Sequence, residues 1–234
     1  MKRIMIVGIA ALALAAGMPA QAQDEGREGA IGWTPLAIGL ATPVQLPWGL
    51  DRWDVFGLDV NVFYADAPKM YGIDISAGGT VTRDDFMGIC VGGLFNYCNK
   101  DVYGLRASLL VNMCNGETFG LDVGSAGIHR SYYGLEVELL GCVQERFYGL
   151  GIGGLATVTD RDTHGLMIAL GTNLARQAWG MQLAALFNMT DELHGCQLGL
   201  VNYADNCVGG FQIGLVNIIM SNQWKVLPII NWYF

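Results

Sequence analysis

Glu136 and Glu138 stand two residues apart in Gly134-Leu-Glu-Val-Glu138, a spacing that places both carboxylates on one face of a β-strand. Paired acids can serve as general acid and general base. No defined partner accompanies this pair. The sequence holds no Ser-His-Asp order, no glycine-lysine phosphate loop and no other nucleophile signature, so it predicts neither an enzyme nor a cofactor. Six cysteines, Cys90, Cys98, Cys114, Cys142, Cys196 and Cys207, lie at none of the close spacings of a zinc site, and no metal is expected. Cys98 and Cys114 occupy equivalent places one repeat apart. A solenoid would make them neighbours, whereas a barrel would hold them at opposite rims. His129, His164 and His194 are as readily explained by substitution for aromatic residues at strand starts as by ligation.

The acid pair belongs to a longer set. Strand alternation predicts an inward face carrying Asp59, Asn61, Asp74, Ser76, Arg106, Asp122, Glu136, Glu138, Gln182, Gln197, Gln212 and Lys225, polar with an acidic excess. Around a water-filled lumen, such a face would favour cations and admit small solutes. In a narrow or plugged barrel the same residues would hydrogen-bond one another instead.

A ladder of eleven glycines must position these residues: Gly57, Gly72, Gly88, Gly104, Gly120, Gly134, Gly149, Gly165, Gly180, Gly195 and Gly210, spaced by 14 to 16 residues. The chain is one short unit repeated. Polar clusters such as Thr82-Arg-Asp-Asp85, Asn99-Lys-Asp101, Asn115-Gly-Glu117 and Asp160-Arg-Asp162 separate the copies and predict hairpin turns. In Val102 to Cys114, Tyr103, Leu105, Ala107, Leu109, Val111 and Met113 share one face. Gly104, Arg106, Ser108, Leu110, Asn112 and Cys114 share the other.

Ring-bearing residues precede most ladder glycines: Phe56, Tyr71, Tyr103, Phe119, Tyr133, Tyr148 and Trp179. In an up-and-down barrel they would form girdles at both membrane interfaces, joined by Trp232 and Phe234. In a β-solenoid they would stack in one column.

Composition narrows the setting. The 234 residues carry 13 Lys plus Arg against 21 Asp plus Glu, and 52% are apolar while 15% are charged. The acidic balance excludes a basic nucleic-acid surface, and length suits one all-β domain. Residues 1–22 read as a secretory signal, with Lys2 and Arg3, an apolar stretch from Ile4 to Met18, and Ala20-Gln21-Ala22 before Gln23. Residues 23–53, charged at first and then rich in Pro and Trp, form a lead or plug segment, and residues 54–234 form the repeat domain. Trp224, Val226, Pro228, Ile230, Trp232 and Phe234 alternate to the terminus. That ending resembles the signal read by the outer-membrane barrel assembly machinery.

Gly195-Cys-Gln-Leu-Gly-Leu-Val-Asn202 and Gly210-Phe-Gln-Ile-Gly-Leu-Val-Asn217 resemble the GLQIGLVN-type unit of a bacterial surface-repeat family. Thr42-Pro-Val-Gln-Leu-Pro47, Trp53-Asp-Val-Phe-Gly-Leu58 and Leu227-Pro-Ile-Ile-Asn-Trp232 resemble its head and tail. The middle repeats depart from the consensus. The resemblance implies an exported, surface-associated protein of Gram-negative cells with no established chemistry. Together these readings predict an antiparallel, up-and-down transmembrane β-barrel of about 12 strands, in contact with outer-membrane lipid and serving as a structural element or passive, porin-like pore. The alternative is a surface-exposed β-solenoid adhesin or binding protein. Uniform connections are its main support, because outer-membrane barrels alternate long and short ones.

Overall fold

A computed structural model describes residues 30–42 and 44–233. The proposed leader and the terminal Phe234 lie outside the described residues. In chain order the strands are β1 (Gly32–Ala41), β2 (Val44–Leu46), β3 (Trp53–Ala67), β4 (Met70–Ser76), β5 (Gly79–Thr82), β6 (Phe86–Gly92), β7 (Phe95–Cys98), β8 (Val102–Ser108), β9 (Val111–Gly153), β10 (Ala156–Ala169), β11 (Thr172–Ala184), β12 (Phe187–Leu198), β13 (Val201–Ile219) and β14 (Val226–Trp232).

Neighbouring repeats run parallel. Gly57 aligns with Gly72, Gly72 with Gly88, Gly88 with Gly104 and Gly104 with Gly120, and the same register links Gly149, Gly165, Gly180, Gly195 and Gly210. The result is a β-solenoid of about 10 turns. The expected antiparallel barrel of about 12 strands is therefore corrected, and with it the membrane-crossing strands, the lumen and the porin-like passage. The reason is local. Each stretch taken for one long strand bends in its middle, as at Gly93-Leu94 between β6 and β7, and again at a polar corner such as Asn99-Lys100-Asp101. Two bends in one sense make a coil, where one reversal would make a hairpin. Alternation of period two is identical in both folds, and only the uniform spacing separated them.

The bends stack as the strands do. Leu110 N donates to Leu94 O at 2.9 Å and Leu94 N to Gly78 O at 2.5 Å, so the ladder continues around the apolar corner. From β9 onward the strand runs unbroken through the polar corner as well. Backbone groups that a loop would leave to water are paired with the coil beside them.

The ladder glycines are dictated by backbone shape. Gly104, Gly120 and Gly134 have φ between +143° and +148°, a region open essentially to glycine alone. A Cβ on Gly120 would also overlap the carbonyl oxygen of Gly104 in the coil beside it. Gly120→Ala is expected to cost about 1–3 kcal/mol in conformation alone, with the overlap in addition. Chemical denaturation of the variant against the parent chain measures it.

Two kinds of filling occupy the space between the sheets. Next to the polar corners lie Val55, Met70, Phe86, Val102, Tyr132, Phe147 and Leu193, all buried. Nearer the apolar corners the filling is polar. Asn96 donates to Asn112 Oδ1 at 2.9 Å, and Asn173, Asn188, Asn202 and Asn217 form a chain of amide bonds at 2.9, 2.8 and 2.8 Å. Asn and Gln suit this stack because each amide donates to one neighbour and accepts from the other.

The ends are closed by antiparallel pieces. β1 lies parallel on β3 and is covered by antiparallel β2. At the other end β14 lies antiparallel on β13, with Trp232 opposite Phe211. Repeat folds need such terminal layers because an open coil exposes a full row of unpaired backbone groups.

Candidate functional site

The residue two places after each ladder glycine points into the coil. In the first part of the solenoid this column reads Asp59, Asp74, Cys90, Arg106, Asp122 and Glu136. In the last part it reads Gln182, Gln197 and Gln212. Glu138 lies two residues further along the same strand as Glu136, also inside. Of the predicted inward residues only Lys225 lies apart, exposed on the approach to β14.

The glutamine end forms a ladder of its own, with Gln182 Nε2 and Gln212 Oε1 unpartnered at its two ends. Gln212 Nε2 donates to Gln197 Oε1, and Gln197 Nε2 to Gln182 Oε1, each at 2.8 Å. The acidic end centres on Arg106, 1% exposed. Its Nε donates to Asp122 Oδ1 at 3.1 Å, its Nη2 to Asp122 Oδ2, and its Nη1 to Met113 O at 3.0 Å. His129, expected among the rim aromatics, is instead inside, with Nε2 3.3 Å from Asp122 and 3.1 Å from Glu136. It is close to Glu136 without hydrogen-bond alignment, and both Glu136 oxygens lack a bonded partner.

Both members of the acid pair are sealed from solvent. What the buried acids do is titrate. Burial pushes the Asp59 carboxyl up to about 7, against the hydrogen bond from Asn61. Burial, aided by the neighbouring Asp59, raises Asp74 well above the usual range. Burial and then Glu136 raise Glu138 to about 8. An acid raised in the folded state favours folding fully below its unfolded pKa, near 4, and that contribution is lost as pH rises through the folded value. Stability is expected to fall between pH 4 and 8, by about 1.4 kcal/mol per pH unit for each group that is still protonated only when folded. Melting temperatures at pH 5 and pH 8 check this. Asp59→Asn with Glu138→Gln should flatten the difference.

The outer surface divides differently. The rings expected as two membrane girdles form one column instead. Phe56 stacks on Tyr71 at 5.1 Å. Tyr103, Phe119, Tyr133, Tyr148, His164, Trp179 and His194 follow in a separate run at 3.6 to 5.9 Å. Their faces are covered by each other, so the column offers ring edges and contributes mainly to inter-coil cohesion. Trp232 lies on β14, opposite Phe211.

At the apolar corner, leucines line the length of the solenoid: Leu109, Leu110, Leu139, Leu140, Leu155, Leu170, Leu186, Leu200 and Leu215, all exposed. Leu170 is 72% exposed, Leu139 70% and Leu155 63%. Charge collects at the opposite corner, where inter-coil pairs join Lys100 to Asp84 at 2.5 Å, Arg176 to Asp160 at 3.2 Å and Arg161 to Glu145 at 3.6 Å. Between Met70 and Val216 every Asp, Glu, Lys and Arg lies either inside the coil or in a polar corner. Sequence reasoning missed this leucine edge. Its signal is a leucine recurring five or six residues after the ladder glycine, hidden because that position was read as mid-strand.

Compared with known proteins, the chain matches no family model, no curated protein and no solved structure.

Proposed function

We propose that this chain is a non-enzymatic structural solenoid that lies on a lipid surface, its leucine edge in the acyl region and its charged corners in water. The carrying observation is the separation of the two edges: exposed leucines along one and all the surface charge of the coils along the other. A continuous exposed apolar strip is rare on a soluble monomer and marks a protein or membrane contact. Amphipathic elements of this kind lie in the interface plane with the apolar side buried about 5–10 Å into the headgroup and acyl boundary. The secretory leader and the surface-repeat resemblance support the outer membrane as that surface. The charged corners, laced by inter-coil ion pairs, would face outward and be available to partners.

Flotation with neutral phosphatidylcholine vesicles tests the reading. The protein should rise with the vesicles, and salt should not release it, because no Lys or Arg flanks the leucine edge. Failure to float, with a monomeric protein in free solution, overturns it. A concentration-dependent dimer without lipid affinity also overturns it, and assigns the edge to a second copy.

A further inference from the structure

Six cysteines are buried as free thiols, and one pair is aligned. Cys98 on β7 is the direct partner of Cys114 on β9 in the parallel register, and both side chains point inward, 2% and 3% exposed. The others have no such neighbour. Cys90 aligns with Asp74 and Arg106, Cys142 with Thr157, Cys196 with Met181 and Phe211, and Cys207 with Leu193.

We infer that Cys98 and Cys114 form a disulfide that staples two consecutive coils in the first half of the solenoid. Directly paired residues on adjacent parallel strands lie about 4.7–4.9 Å apart at Cα, inside the roughly 4.4–6.8 Å span that disulfides occupy. The two thiols also hang from matching anchors. Cys98 Sγ donates to Asp84 O at 3.2 Å and Cys114 Sγ to Lys100 O at 3.0 Å, each in the polar corner of the preceding coil. Closing the bond requires both side chains to rotate off those carbonyls.

The chemistry is thiol–disulfide exchange with a small-molecule or protein disulfide as oxidant. Either thiolate can attack first, and the steps are the same with Cys98 and Cys114 exchanged. The Cys114 thiolate attacks one sulfur of the donor, forming a mixed disulfide and releasing one donor thiol. The Cys98 sulfur, losing its proton, then attacks the Cys114 sulfur and expels the second donor thiol. Two cysteine thiols are oxidised and one donor disulfide is reduced. Because the folded pair is closed to solvent, the exchange takes place while the coils close, and the finished bond is shielded from reductant.

The test is to refold the full chain with oxidised glutathione, block free thiols under denaturing conditions, and map the peptides. Four blocked cysteines and a Cys98–Cys114 linked peptide are expected, with the oxidised protein melting later than the reduced one. Cys98→Ser and Cys114→Ser should each abolish the linked peptide, while Cys142→Ser should retain it. Six blocked cysteines, or a linkage between any other pair, overturns the inference. Mapping of the unsubstituted chain decides the matter even where a serine variant fails to fold.

Discussion

Leu139→Asp, Leu155→Asp and Leu170→Asp combined should abolish vesicle flotation while shifting the melting temperature by no more than a few degrees. The three side chains lie on successive coils at the apolar corner, 63–72% exposed. Their replacement removes little from the folded core, and exposed substitutions usually change stability by about 0.5 kcal/mol or less each. On a membrane the same positions are buried. Withdrawing a leucine from lipid forfeits about 1.5–3 kcal/mol at full burial, so three together weaken partitioning by on the order of 10³- to 10⁶-fold. Desolvating the new carboxylates adds to that. A matched change on the other edge, Lys100→Ala with Arg176→Ala, should leave flotation intact, since those side chains bridge acids at the charged corner of neighbouring coils. If the triple aspartate variant floats as well as the parent, the leucine edge is not the contact surface.

The same residues explain how far the sequence could be read. The repeat, its strand character and the inward sense of Asp59, Arg106, Asp122 and Gln197 follow from glycine spacing and period-two alternation, which depend only on neighbours along one chain. Direction is a property of pairs of strands, and alternation carries none of it. Val102 to Cys114 illustrates the limit. Arg106, Asn112 and Cys114 do face inward, but Leu110, assigned with them, is turned out by the corner at Leu109-Leu110. The corner has no proline, and two leucines do not look like a turn. It holds because its amides bond the coil before it, an interaction separated by a whole repeat in sequence. His129 went astray for a related reason. It does not precede a ladder glycine, and only the coil brings it beside Asp122 and Glu136.

Arg106→Met should destabilise the solenoid by about 3–5 kcal/mol, the usual cost of leaving one partner of a buried ion pair uncompensated. Asp122 would keep a carboxylate inside the coil with the guanidinium gone, beside Glu136 and Glu138 and with only His129 to offset it. For a chain of this length the loss corresponds to roughly 6–20 °C in melting temperature. A second substitution separates charge from packing. Asp122→Asn in the Arg106→Met background removes the orphaned charge and extends an amide of the kind that Gln182, Gln197 and Gln212 stack elsewhere. It should recover much of the loss, whereas a loss caused only by the missing guanidinium volume would persist. Arg106 follows the fourth ladder glycine in an assembly whose coils touch only their neighbours, so its loss weakens the coupling between the coils before it and those after it. A single parental transition that splits into two in Arg106→Met would place the break there. A variant that melts as one unit at the parental temperature would mean that the buried pair contributes no net stability.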